Sequence, residues 1–248
     1  MKFLARRFID SFFVSLCLPL TMGIASCSKK DKTATACAQQ IKMAPRTAQE
    51  AFTHNYQVGE WGRNANGEGC SGGGSLPCYA KPYMIFLKDF LETNHIKSVV
   101  DIGCGDWEFS QHIDWNGIRY MGVDVVKHMI QNNIQKFETD TISFVCADAT
   151  EIELPNADLL LCKDVMQHIL NKDITLLCEK FAKFKYCIIT NDVVNPSNGF
   201  CLNEDLPDRG GLRAIDLTAP PFNISAIKVL SYPADSNNIK EVLLIEKK

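Results

Sequence analysis

From residue 82 to the end, the chain alternates between two hydrophobic rhythms. Short, nearly continuous apolar runs recur at Ser98-Val99-Val100-Asp101-Ile102, Tyr120-Met121-Gly122-Val123, Ser143-Phe144-Val145-Cys146-Ala147, Asp158-Leu159-Leu160-Leu161-Cys162 and Tyr186-Cys187-Ile188-Ile189-Thr190. Runs this short and this rich in Val, Ile and Leu fit strands buried on both faces, as in a parallel sheet. Between most of them, apolar residues fall at helical spacing. Met84, Leu87 and Leu91 follow Pro82 as an N1-type proline, Val126, Met129, Ile130, Ile134 and Phe137 mark a second helix, and Ile174, Leu177 and Phe181 a third. The tail differs: Ile227–Leu230 and Glu241–Ile245 are separated only by Pro233 to Asn238, too little for a helix, and are predicted to pair as an antiparallel hairpin at the sheet edge. The pattern predicts an α/β fold, a doubly wound sheet of five parallel strands plus a C-terminal antiparallel hairpin, with helices on both faces.

The N-terminal third has neither rhythm. In residues 1–27, Lys2, Arg6 and Arg7 precede a mostly apolar Phe12–Ala25 that ends at Ile24-Ala25-Ser26-Cys27. This resembles a bacterial lipoprotein signal, cut before the cysteine, with Cys27 lipidated and the protein attached to a membrane. Asp10 and Pro19 interrupt the stretch, which is too short for a membrane span. The alternative is an unprocessed leader on a cytoplasmic protein. Residues 28–50 read as a flexible tether without apolar period. Residues 51–81 hold the most Gly-rich stretch, including Cys70-Ser71-Gly72-Gly73-Gly74-Ser75. No Lys-Ser or Lys-Thr follows, which excludes a Walker A loop, and the flanking Tyr56 and Trp61 favour a lid or binding segment over a linker. The remaining 82–248 form the main domain.

Composition narrows the classes. With 248 residues, 46% hydrophobic and 22% charged, the chain is globular, and a net charge of -3 gives no basic footprint for nucleic acid. Five histidines and no CxxC pair offer no structural zinc spacing, and no metal is expected. Eleven cysteines are many for this length. The nine after Cys27 are odd in number, and Cys146, Cys162 and Cys187 read as thiols packed on buried strands.

Ligands of open α/β sheets sit beyond the carboxyl ends of the strands, where Asp101, Asp124, Asp148 and Asp164 fall. Gly103 and Gly105 let the chain turn sharply after the first strand. Asp124 ends the second strand, 19 residues after Gly105, where a carboxylate accepts both ribose hydroxyls. Together, in this order, these residues describe an adenosine pocket. A nicotinamide dinucleotide needs a third glycine five residues after Gly103, where Glu108 stands and repels a pyrophosphate. S-adenosylmethionine has no phosphate to repel.

Residues 98–124 resemble motif I and its following acid in the class I S-adenosylmethionine-dependent methyltransferases, whose Rossmann-like sheet is five parallel strands plus an antiparallel hairpin. A poorly characterised subgroup of that family is similar over nearly all of 52–248. The matching segments are Glu60-Trp61-Gly62, Ser71–Ser75, Asp101–Trp107, Lys163–His168, Thr190-Asn191-Asp192 and Asp216–Asn223. The resemblance implies an S-adenosylmethionine site built from Asp101, Gly103, Cys104, Gly105, Trp107, Asp124, Val125, Asp148, Ala149 and Lys163. In it, Gly103 and Gly105 lie against the cofactor, Asp101 holds the loop or reaches the methionine amino group, Asp124 takes the ribose hydroxyls and Asp148 accepts from the adenine amino group. Lys163, Asp164 and His168 face the methyl group and the acceptor, with His168 the candidate base or a gap-filling histidine, and Lys163 either a snorkelling lysine or a candidate for an acidic acceptor. Arg209 and Arg213 recognise a carboxylate or cap the sheet edge. The implied activity is methyl transfer to a small molecule or a protein side chain, with no nucleic-acid partner. An exported lipoprotein lacks the cytoplasmic cofactor, so the alternative is an anchored binding module that keeps the fold without catalysis.

Overall fold

The computed structural model describes residues 44–193, 203–233 and 239–247. The signal-like residues 1–27, Cys27 among them, and the tether up to residue 43 lie outside the described residues.

Seven strands form one sheet: β1 (Ser98–Ile102), β2 (Arg119–Asp124), β3 (Ile142–Cys146), β4 (Leu159–Lys163), β5 (Tyr186–Val193), β6 (Ile227–Pro233) and β7 (Ile239–Glu246). Their order is β3-β2-β1-β4-β5-β7-β6. The first five are parallel, and β7 runs antiparallel to both β5 and β6, as the apolar pattern predicts. The chain winds outward from β1 in one direction to β2 and β3, then crosses back to β4. That reversal opens a crevice beside the carboxyl end of β1.

Strand periodicity divides the core in two. Val99, Leu159, Leu161, Ile188 and Val242 pack on one face with Tyr83 and Leu87 of α2 (Pro77–Thr93). Val100, Ile102, Leu160, Cys162, Ile189 and Leu243 pack on the other with Ile174 and Leu177 of α4 (Asn171–Lys180). Neighbours along each strand go to opposite faces, because successive side chains alternate.

Four local details depart from or add to the predicted pattern. The tether does not run to residue 50, because α1 (Ala48–Val58) begins inside it. Thr47 caps the amide of Glu50 while the Glu50 carboxylate accepts from the Thr47 amide, a reciprocal pair that fixes the first turn. Second, α2 starts at Pro77, and Pro82 lies inside the helix. The N1 position suits Pro77, whose missing N–H would have no partner there. Third, no α-helix joins β1 to β2. A single 3-10 turn, Ser110–His112, makes the crossing, held by buried Phe109, Ile113, Trp115 and Ile118. Fourth, Ile134 on α3 (Lys127–Phe137) is 41% exposed, and Cys146 at the end of the edge strand β3 is exposed, whereas Cys162 and Cys187 on central strands are buried.

Leu160 is fully buried at the sheet centre. Leu160→Ala is expected to lower the unfolding free energy by about 2–5 kcal/mol in urea titrations, whereas the same change at exposed Leu212 leaves it within about 0.5 kcal/mol.

Candidate active site

A cavity of about 360 Å³ lies at the carboxyl ends of the parallel strands, within the roughly 300–1,000 Å³ range of small-molecule sites. Asp101, Gly103, Cys104, Gly105, Asp124, Val125, Asp148, Ala149, Lys163, Asp164 and His168 all line it. Trp107 does not. Its φ of 58° turns the buried ring into the core, against Tyr120, Phe137 and Phe144, so it supports the loop from behind and takes no part in the cavity wall.

The Gly-rich segment forms the facing wall. The Ser71 amide donates to Asp106 Oδ2 at 2.9 Å, and the Asp106 amide donates back to Ser71 Oγ at 3.0 Å. Tyr56 Oη also meets Ser71 Oγ, at 2.7 Å. Gly105 is required by this clasp: at its φ of 56°, a Cβ would sit 2.3 Å from Ser71 Oγ. A Cβ on Gly103, at φ 71°, would sit 2.2 Å from Val165 Cγ2. Both glycines thus admit other parts of this chain as well as bordering the cavity.

The carboxylates are held individually. Asp124 accepts from the Gly105 amide on Oδ2 at 3.0 Å and from the Val126 amide on Oδ1 at 2.8 Å. Burial pushes its carboxyl up to about 6, against the lowering effect of those amides. Asp101 Oδ2 accepts from the Tyr120 hydroxyl at 2.6 Å, and burial pushes its carboxyl up to about 7 against that bond and the Lys163 charge. Asp148 receives the amide and hydroxyl of Thr150, at 2.9 and 2.7 Å, both on Oδ1. Asp106 Oδ1 is buried without a hydrogen-bond partner. The set is one of acceptors, three carboxylates from neighbouring strand ends with an orphaned oxygen beside them, which suits a ligand rich in hydroxyl and amino donors.

Where β4 ends, four charges interlock. Lys163 Nζ donates to the Gly74 carbonyl at 2.9 Å and to Asp164 Oδ2 at 2.5 Å. Lys240 Nζ bridges Asp164 Oδ1 and Asp192 Oδ1, each at 2.7 Å. Burial works to raise the Asp164 carboxyl, but the two ammonium groups hold it at about 2. Asp164 is therefore ionised at neutral pH and a poor proton acceptor, and Lys163 is already neutralised by it. Lys240 and Asp192 escaped the sequence reading, although Thr190-Asn191-Asp192 was a matched segment. They are cross-strand neighbours in the antiparallel β5–β7 register, and only that pairing brings them together.

His168 sits on a 3-10 turn, buried, with its ring 5.1 Å from that of Trp61. Its Nδ1–H donates to the Gly211 carbonyl at 2.7 Å, and the Gln167 side-chain amide approaches Nε2 at 3.3 Å. Burial pulls its pKa down to about 4, so the ring is neutral at pH 7 with its lone pair on Nε2. Arg209 and Arg213 serve the scaffold: Arg209 makes a two-pronged ion pair with Asp173, and Arg213 donates to the Ile169 carbonyl and to Asn171 Oδ1.

Residues 100–183 match the family model described as a methyltransferase domain. No curated protein sequence matches the chain. Among solved structures, the chain is similar to human N-acetylserotonin methyltransferase in complex with S-adenosylmethionine, at 14% identity and a TM-score of 0.50, over 82% of this chain and 60% of that one. It is also similar to the N-methyltransferase NodS of Bradyrhizobium japonicum with S-adenosylhomocysteine (13% identity, TM-score 0.52, 69% of this chain and 88% of that one). A third is the magnesium protoporphyrin IX methyltransferase of Synechocystis with S-adenosylhomocysteine (13% identity, TM-score 0.51, 70% and 86%). At such identities the likeness establishes the fold. Residues 100–183 are thus similar to a methyltransferase domain, and they lie in a sheet with the Rossmann-like fold of the methyltransferase type.

Proposed function

We propose that the protein transfers a methyl group from S-adenosylmethionine to a small molecule or a protein side chain. The observation that carries this reading is the convergence of Asp101, Asp124 and Asp148, from the ends of three neighbouring strands, on one cavity at the reversal point of a methyltransferase-type sheet. Asp124 keeps a second lone pair on each oxygen for the ribose hydroxyls, Asp148 keeps Oδ2 for the adenine amino group, and Asp101 keeps Oδ1 for an ammonium. When bound, S-adenosylmethionine supplies a methyl group activated on a sulfonium. The chain's own part is mainly positional, and in-line alignment accounts for most of the rate such a reaction needs. Neutral His168, with Nδ1–H on the Gly211 carbonyl and Nε2 facing the Gln167 side-chain amide, shapes the cavity wall; with its pKa near 4 it is a weak base. Lys163 and Asp164 fix the cavity wall. We also propose that the lipoprotein-type leader stays unprocessed and holds the chain at the inner face of a membrane, where the cofactor is present.

Binding of S-adenosylhomocysteine by the full chain tests this. At about 100 times its dissociation constant, the ligand is expected to stabilise the protein by about 2.7 kcal/mol, read as a rise in melting temperature. Asp124→Ala is expected to remove the rise. An unshifted wild-type melt at millimolar ligand contradicts the reading.

Asp101 gives the free protein a pH signature. Its folded pKa of about 7 lies above the ordinary 3.8, so burial stabilises the protonated form. Its contribution is full below about pH 4 and is lost as pH rises to about 7. The stability of wild type relative to Asp101→Asn, which keeps an acceptor for Tyr120, is therefore expected to fall between those limits and level off above them. A pH-independent difference would show that burial does not govern this carboxyl.

A further inference from the structure

The cavity wall offers unpaired charge of one sign only. Among the described residues, Lys163 and Lys240 are its only lysine or arginine side chains, set against eight carboxylates. Both ammonium groups are spent on the chain itself. Lys163 Nζ is held by Asp164 and the Gly74 carbonyl, and Lys240 Nζ by Asp164 and Asp192. An acceptor that entered as a carboxylate would find no cation to replace its lost hydration.

Glu60 and Glu108 are in the opposite state. Both line the cavity, and neither carboxylate has a hydrogen bond or ion pair among the described residues. Glu60 is exposed and directly precedes Trp61, whose half-buried side chain also lines the cavity, its ring 5.1 Å from that of His168. The rings of Phe52 and Tyr56 stand 5.7 and 5.4 Å from the indole and hold it in place. An unpaired carboxylate beside a fixed indole attracts an ammonium, by charge and by the ring quadrupole.

The proton acceptors near this wall point the same way. Lys163 and Lys240 take both oxygens of Asp164, and the Gln167 side-chain amide faces Nε2 of His168 at 3.3 Å. An alcohol, phenol or thiol must give up a proton to attack, and neither group is placed to receive it. A neutral amine attacks with its lone pair and needs no base in that step.

We propose that the methyl acceptor is an amine, which enters as an ammonium guided by Glu60 and the Trp61 ring. This rests on the reading of the cavity as an S-adenosylmethionine site. The ammonium first gives a proton to water at the cavity mouth. The nitrogen lone pair then forms the N–C bond while the S–C bond breaks with its electrons to sulfur, leaving a thioether and a methylated ammonium. Positive charge passes from sulfur to nitrogen and is never lost, so the carboxylate-rich wall faces a cation before and after transfer. Methylation of a carboxylate would instead cancel that charge.

The test compares three probes of one shape by calorimetry at pH 7, on the full chain loaded with S-adenosylhomocysteine. They are 2-phenylethylamine, 2-phenylethanol and phenylacetate. The amine is expected to bind about 10-fold more tightly than the alcohol, and the acid most weakly. Glu60→Gln and Trp61→Leu are each expected to lower the amine-to-alcohol ratio by about 3- to 10-fold, whereas Trp61→Phe keeps most of it. The ratio is taken within one protein, so a loosened fold, which weakens both probes, does not imitate the result. Equal binding of the three probes, tighter binding of the acid, no binding of any probe at about 10 mM, or a ratio that neither variant moves overturns the proposal. Failure of S-adenosylhomocysteine to bind overturns the cofactor reading instead.

Discussion

Two hydrogen bonds between Ser71 and Asp106 decide what the cavity is. Without them the loop after β1 would border an open crevice, as at the switch point of any doubly wound sheet. With them, a segment that belongs to no strand is brought over the strand ends, and Trp61, the glycines and Ser71 become a wall. The clasp explains the nearby sequence. Gly105 has no Cβ because Ser71 Oγ occupies that space, and Tyr56 is buried so that its hydroxyl can reach the same oxygen. Lys163 completes the attachment from the far side by holding the Gly74 carbonyl.

Electrostatics divides the cavity into two kinds of carboxylate. Asp101 is buried and Asp124 half-buried, both with few charged partners, and their pKa values rise to about 7 and 6. Asp164, half-buried, lies between two ammonium groups and falls to about 2. The first pair gain from a cationic ligand, because a positive charge offsets their desolvation. Asp164 is already satisfied and acts as a fixed post between β4 and β7. Such a wall favours a ligand that brings positive charge, as the proposed cofactor does.

Much of this was legible in the sequence. Parallel strands buried on both faces carry continuous apolar runs, so β1 to β5 stood out, and the gap of Pro233 to Asn238 was too short for anything but a hairpin. The acids at the strand ends followed from the strands. Less visible were features that need the third dimension. Trp107 reads as part of a ligand loop by position, yet its positive φ turns it inward. Lys240 and Asp192 meet only because β7 inserts antiparallel beside β5. Helix α1 carries a capping box, Thr47 with Glu50, that the weak apolar period of its surroundings concealed.

Hydrogen exchange on the full chain, with and without S-adenosylhomocysteine, tests most directly whether the Gly-rich segment and the β1 loop form one wall around one ligand. The account predicts that amides of 71–75 and 103–106 gain protection together on binding. Protection confined to 101–124, with 71–75 exchanging as before, would contradict it.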